Sequence, residues 1–237
     1  MQIAGLTKTT LLDFPGHVAA TIFLKGCNFR CSFCHNRSLV IPDTNPDITI
    51  SQNEILSFLK KRSSILEGVC ITGGEPTINP ELPDFIFKIK SLGYKVKLDT
   101  NGTNPQMLQQ LAKQKLIDYC AMDIKNSPQK YELTANTACF DLTAIKESVS
   151  FLLNFKNTPD FDYEFRTTLT KELHSEEDIS QIAEWISGAA AYYLQSYEEN
   201  DQVIQKGFHA PDEEALNKYL EICRPYIPNT HIRGKDY

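Results

Sequence analysis

Val18-Ala-Ala-Thr-Ile-Phe-Leu24 runs straight into Lys25-Gly-Cys27-Asn-Phe-Arg-Cys31-Ser-Phe-Cys34-His-Asn36, joining a short apolar stretch to a segment with three thiols. The apolar stretch has the look of a strand buried on both faces, as in parallel sheets covered by helices. It delivers the cysteines from its C-terminal end. They stand at positions 27, 31 and 34, among polar and aromatic spacers with no long apolar run. One loop can therefore turn all three sulfurs toward one point, and the segment reads as a metal loop.

Counting ligands narrows the chemistry. A structural zinc site is closed by four protein ligands, usually as two short pairs far apart in sequence, whereas this loop offers three thiols and no second pair. A four-iron cluster is normally held by four cysteine thiolates, so three would leave one iron open to an outside ligand. An open metal position marks a catalytic site rather than a structural one. His35 is the nearest spare ligand, but beside Cys34 it has poor reach around a cluster already tied to its neighbour.

Outward from the loop the chain alternates. Residues 1–12 suggest an opening strand or hairpin that ends at the turn Asp13-Phe-Pro-Gly16. After the connection Pro42–Asp47, Ser51 with Glu54 three residues on forms a capping-box signature for a helix to about Lys61. Strands are expected at Gly68–Ile71, Lys95–Leu98, within Leu116–Ile124, at Tyr163–Leu169 and at Ala190–Gln195. Helices are expected at Pro80–Ser91, Pro105–Lys115, Asp141–Phe155, Ser175–Ser187 and Pro211–Cys223. Six alternations argue a parallel sheet with crossover helices, and right-handed crossovers curl it toward a barrel. No linker, repeat or low-complexity stretch divides it, so residues 1–237 read as one domain: hairpin 1–16, barrel about 17–200, C-terminal helix and tail 201–237.

Barrel chemistry gathers at the C-terminal ends of the strands, and these ends are polar. The second carries Thr72-Gly-Gly-Glu-Pro76, where Gly73 and Gly74 permit close backbone approach and Glu75 adds an acceptor. The third ends Lys97-Leu-Asp99-Thr100-Asn101-Gly102 and the fourth Ala121-Met122-Asp123-Ile-Lys125. Asp99 and Asp123 on one rim would repel unless a cation or hydrogen bonds intervene. Lys125 is one partner and a small metal ion another; the plain alternative makes both carboxylates helix caps or loop acceptors. Strand alternation sets Arg166 and Thr168 on one face, away from Phe165. Arg166 is then either paired with an acid or aimed at a ligand. Gln195 and Tyr197 end the sixth strand.

The spacing of Cys27, Cys31 and Cys34, with aromatic Phe33 before the last, resembles the signature of the radical S-adenosylmethionine (radical SAM) superfamily. That resemblance implies a partial (β/α)6 TIM-like barrel, in agreement with the independent count, and a 4Fe-4S cluster on the three cysteines. It further implies that the open iron is chelated by the amino and carboxylate groups of S-adenosylmethionine, whose reductive cleavage yields methionine and a 5'-deoxyadenosyl radical. Phe33 would lie near the adenine. Gly73-Gly74-Glu75 resembles the family's GGE motif, which binds the cofactor's amino group, and Gln195 and Tyr197 would reach the adenine.

Gly5-Leu-Thr-Lys-Thr-Thr-Leu-Leu-Asp-Phe-Pro-Gly16, Lys97-Leu-Asp-Thr-Asn-Gly102, Met122-Asp-Ile-Lys125 and Phe165-Arg-Thr-Thr168 resemble the activating proteins of anaerobic ribonucleoside-triphosphate reductase. The resemblance implies that Asp99, Thr100, Asp123, Lys125 and Arg166 surround the cofactor. It also implies a glycyl radical enzyme as partner, a flavodoxin- or ferredoxin-type electron donor, and a glycine of the partner as the site of hydrogen abstraction. Only Cys70 lies between Asn36 and Gly73, so one cluster is expected and no ferredoxin-like insert. Two other readings stand beside it: a radical SAM enzyme acting on a small molecule, such as a deazapurine, and a non-enzymatic iron-sulfur carrier. A carrier has no need of the GGE motif or of polar strand ends.

Composition is consistent with a cytoplasmic protein. A 41% apolar and 23% charged chain is that of a globular protein with no run fit to span a bilayer, and the N-terminus lacks the pattern of a secretory leader. The formal charge of −6 argues against general nucleic-acid binding, which needs surplus Lys and Arg. Seven cysteines, an odd number without a leader, argue against a disulfide framework. Cys70, Cys120 and Cys223 read as buried small hydrophobes, and Cys139 as an ordinary loop cysteine.

Overall fold

The computed structural model describes residues 1–41, 49–137, 140–155 and 158–234. The connection Pro42–Asp47 and Cys139 lie outside the described residues. Eight strands, β1 (Ile3–Thr10), β2 (Ala19–Leu24), β3 (Gly68–Gly73), β4 (Lys95–Thr100), β5 (Tyr119–Asp123), β6 (Asp162–Leu169), β7 (Tyr192–Ser196) and β8 (Thr230–Arg233), form one sheet in sequential order. β1 runs antiparallel to β2 with two register shifts, and every later neighbour is parallel. The helices are α1 (Arg37–Val40), α2 (Gln52–Arg62), α3 (Leu82–Lys90), α4 (Pro105–Lys113), α5 (Tyr131–Ala135), α6 (Leu142–Phe155), α7 (Glu176–Trp185) and α8 (Glu213–Cys223). None of the described helices is long and apolar enough to cross a membrane.

Local chemistry sets the boundaries. Ser51 accepts from the Glu54 amide while the Glu54 carboxylate accepts from the Ser51 amide, closing the expected capping box, and Ser175 and Asp178 repeat the device on α7. The outward faces of the strands supply Ile22, Val69, Leu98, Met122, Phe165 and Leu194, all wholly buried in one cluster with helix residues such as Leu59, Phe85, Leu108, Val149, Ile182 and Leu216. The core therefore sits between sheet and helices. Cys120 and Cys223 belong to it as expected, whereas Cys70 faces the barrel interior, 3.8 Å from the Lys97 ammonium.

The alternation is longer than the sequence suggests. Among the described residues seven parallel strands are present, because β8 adds to β7 after α8, where a (β/α)6 count leaves only a tail. Thr230-His-Ile-Arg233 is four residues long with Ile232 its one apolar residue, too short to show a period. β1 and β8 are the two ends of the strand order, so the curled sheet is a partial barrel.

The glycines after β3 are placed by backbone contact. The Gly74 and Glu75 amides donate to the Leu24 and Gly26 carbonyls at 2.9 and 2.8 Å. A Cβ on Gly74 would come within 1.9 Å of the Gly26 oxygen, and one on Gly73, at φ +125, within 2.2 Å of the Leu24 oxygen. Gly74→Ala should lower stability by about 1–3 kcal/mol, read as a drop in Tm; an unchanged Tm would show that the two strand ends are not held together.

Candidate active site

The cysteine loop leaves β2 and is fastened by segments from five other places in the chain. The Gly26 amide donates to Leu39, beyond the loop, and Gly26 itself receives Glu75. Asn28 receives the Asn101 amide at 2.9 Å and donates to Thr103 at 2.8 Å. The end of α5 takes the middle: the Arg30 amide donates to Ala135 at 2.9 Å, and Thr137 and Asn136 donate to the Asn28 and Arg30 carbonyls. From the far side the Gln205 and Ile204 amides donate to Ser32 and Cys34 at 2.8 and 3.0 Å. Backbone groups of a loop that are otherwise unpaired find partners here, and that fixes where the thiols point.

A cavity of about 250 Å3 lies beneath this loop at the C-terminal ends of the strands. Cys27, Cys31, Cys34 and Phe33 line it from the loop, Gly73 and Gly74 from the end of β3, and Asp99, Thr100, Asp123, Lys125 and Arg166 from β4 to β6. Burial pushes the Cys27 thiol up to about 11 and that of Cys31 to about 12, so both are neutral at pH 7 unless a metal takes the proton's place. Phe33 is held edge-on by His174 and Phe208. His35 bonds the Glu198 carbonyl through Nε2 and lies against Tyr197.

Pleat alternation turns Lys97, Asp99, Asp123, Glu164 and Arg166 into the barrel, where charges must be paired. Arg166 spans the two rim carboxylates, Nε donating to Asp123 at 2.9 Å and Nη1 to Asp99 at 3.2 Å. Lys97, 2% exposed, pairs with Asp99 from below, and Lys125 donates to Asp123 at 2.9 Å. Burial works against ionisation of both acids, yet Arg166 and Lys97 hold Asp99 below its usual range, and Arg166 with Lys125 hold Asp123 at about 2. The place between Asp99 and Asp123, for which a small cation is one sequence-level alternative, is thus taken by a guanidinium. Neither acid is a helix cap, and Arg166 is paired to acids while also lining the cavity.

Glu75 lies behind the cavity wall. It is wholly buried and does not line the cavity. Oε1 receives the Thr77 amide, Thr77 hydroxyl and Thr100 hydroxyl at 3.0, 2.6 and 2.7 Å, and Oε2 receives the Asn101 amide at 2.6 Å. Those donors tie the end of β3 to the end of β4 and occupy both oxygens. Gln195 lines the cavity, whereas Tyr197 is packed behind it against His35 and Phe208. Phe29, Asn36, Asn101 and Thr168 also line the cavity. Lys97 and Glu164 were discoverable as the i−2 neighbours of Asp99 and Arg166, since residues two apart share a strand face.

The sequence profile of the Radical SAM superfamily matches residues 21–141. A Methanocaldococcus jannaschii protein provisionally named a glycyl-radical enzyme activating enzyme is 32% identical over 98% of this chain and 95% of its own length. A 7-carboxy-7-deazaguanine synthase of Aquifex aeolicus is 36% identical over 35% of each chain. Among solved structures, Streptococcus suis SuiB bound to precursor peptide SuiA aligns with a TM-score of 0.69 at 16% identity, over 90% of this chain and 48% of that one. This chain thus spans about half of SuiB, and the likeness concerns the fold alone.

Glu75→Ala should lower the Tm of the protein even with no cofactor added, because four buried donors lose their acceptor at about 1–3 kcal/mol each when left unpaired. A residue that only contacts a ligand would leave the unliganded Tm where it is, and that result would return Glu75 to a purely ligand-binding role.

Proposed function

The chain belongs to the radical SAM superfamily, and we propose that it is an activase within it, drawing a hydrogen atom from a glycine of a partner enzyme. The observation that carries this reading is the extent of the likeness to the Methanocaldococcus jannaschii activating enzyme, which runs nearly end to end, while the synthase likeness covers about a third of the chain. The likeness of the motifs in the N-terminal segment and on β4, β5 and β6 supports an anaerobic ribonucleoside-triphosphate reductase as the partner; the reading takes a flavodoxin- or ferredoxin-type protein as the electron donor and the cytoplasm as the compartment.

The residues present fit one four-iron cluster. Cys27, Cys31 and Cys34 are soft thiolate donors facing one cavity. No three His, Cys, Asp or Glu side chains among the described residues are grouped to hold a single metal ion; the three thiols line one cavity instead, and together they would hold a cluster of several irons. When bound, the cluster and S-adenosylmethionine supply one-electron, hydrogen-abstracting chemistry that side chains cannot.

The chain's own residues hold and orient. Asp99 and Asp123, kept ionised, would be acceptors for the cofactor's ammonium and ribose hydroxyls, together with the backbone of Gly73 and Gly74. Lys125 and Arg166 would offer its carboxylate charge-assisted donors. Phe33 would flank the adenine and Gln195 would meet its polar edge, while buried Phe29 and Val40 keep water from the walls.

Replacing Cys27, Cys31 or Cys34 by Ala should abolish the cluster, while Cys139→Ala keeps it; an intact cluster in Cys31→Ala by iron and sulfide analysis would refute the ligand set. For the activity, 5'-deoxyadenosine is measured by chromatography and the glycyl radical by paramagnetic resonance, with and without the candidate reductase. Slow uncoupled cleavage alone, and radical stoichiometric with cleavage when the reductase is present, are expected. Rapid turnover of a small molecule with no partner would replace the activase with the small-molecule enzyme.

A further inference from the structure

Below the bridge formed by Asp99, Arg166 and Asp123 lies another carboxylate, Glu164, two residues before Arg166 on β6 and wholly buried. It receives the Tyr119 hydroxyl at 2.8 Å. Both terminal nitrogens of Arg233 also reach it, at 2.9 and 3.1 Å, in a two-point pairing. Arg233 comes from β8, where its Cα pairs with Gln195, and its guanidinium lies 3.7 Å from the centre of the Tyr193 ring on β7. The barrel interior thus holds two stacked charge layers, one around Glu164 and one around Arg166.

The layers are coupled through β6. Glu164 and Arg166 share a strand face, and the charge of Glu164 acts on Arg166, while Arg166 and Arg233 repel. A buried carboxylate deprived of its partner is strongly unfavourable, and Arg166 is the cation within reach on the same face of the same strand. We propose that Arg233 is a positioning residue for the cofactor cavity: by neutralising Glu164 from β8, it leaves Arg166 free to bridge Asp99 and Asp123. Without it Arg166 turns down to Glu164, and the two rim acids lose the group that bridges them. The C-terminal strand is therefore a working part of the site. This inference rests on the reading of the cavity as the S-adenosylmethionine site.

The test uses the reconstituted full-length enzyme and equilibrium binding of S-adenosylmethionine to wild type, Arg233→Met, Glu164→Gln and the double variant. Arg233→Met should bind about tenfold more weakly, and adding Glu164→Gln should restore most of the loss, since coupled buried charges give non-additive changes of this order. Wild-type affinity in Arg233→Met would overturn the proposal. So would equal weakening in the single and double variants, which would mean that Arg233 only anchors β8. A crystal structure of Arg233→Met separates this inference from the reading beneath it. Arg166 turned to Glu164 supports the proposal even if the wild-type cavity binds no S-adenosylmethionine, and Arg166 still bridging Asp99 and Asp123 overturns it.

Discussion

Arg166 stands between Asp99 and Asp123, and the interior of the barrel is arranged around keeping those three charges together. Two carboxylates side by side in a dry interior would not both stay ionised. The guanidinium suits the task because it is planar, permanently charged and able to donate in two directions. Lys97 below and Lys125 above complete the pairing. The result is a rim with fixed acceptors and fixed donors before any ligand arrives, which is how a site avoids reorganising when charge is bound. Thr168 and Gln195 extend the same polar face along β6 and β7.

The cysteine loop depends on a different constraint, the close approach of two backbones. Gly73 and Gly74 leave no room for a side chain against Leu24 and Gly26, and Glu75 then reaches under Thr100 and Asn101. That chain of contacts links the exits of β2, β3 and β4. The outer surface of the loop is held by the ends of two excursions, α5 with Asn136 and Thr137, and the segment Gln202–Gln205. The charged layer and the thiol loop are thus held by separate devices that meet in one cavity. A lesion in one can leave the other standing.

Much of this was legible in the chain. Strand-to-helix alternation, the capping box at Ser51 and Glu54, and the polar residues ending Asp99, Asp123 and Arg166 are local signals. Parallel strands put their C-terminal ends on one rim, so those residues had to meet. The short strand Thr230–Arg233 was not legible, because four residues have no measurable period and its pairing with β7 spans a helix and a turn. Nor was the burial of Glu75, because a carboxylate facing a ligand and one facing its own backbone look alike in sequence.

What the sequence determined by itself is the donor set and the order of the elements: three thiols too close together for anything but one loop, glycines where β3 meets that loop, and charges two apart on strands. Only the tertiary structure decided which charges pair. Pairing depends on distances across a curled sheet between residues as far apart as Glu164 and Arg233, and on which carboxylates are cut off from water. Those distances are set by strand register and curvature, which arise from the packing of helices on the outer face and have no signature in any one segment.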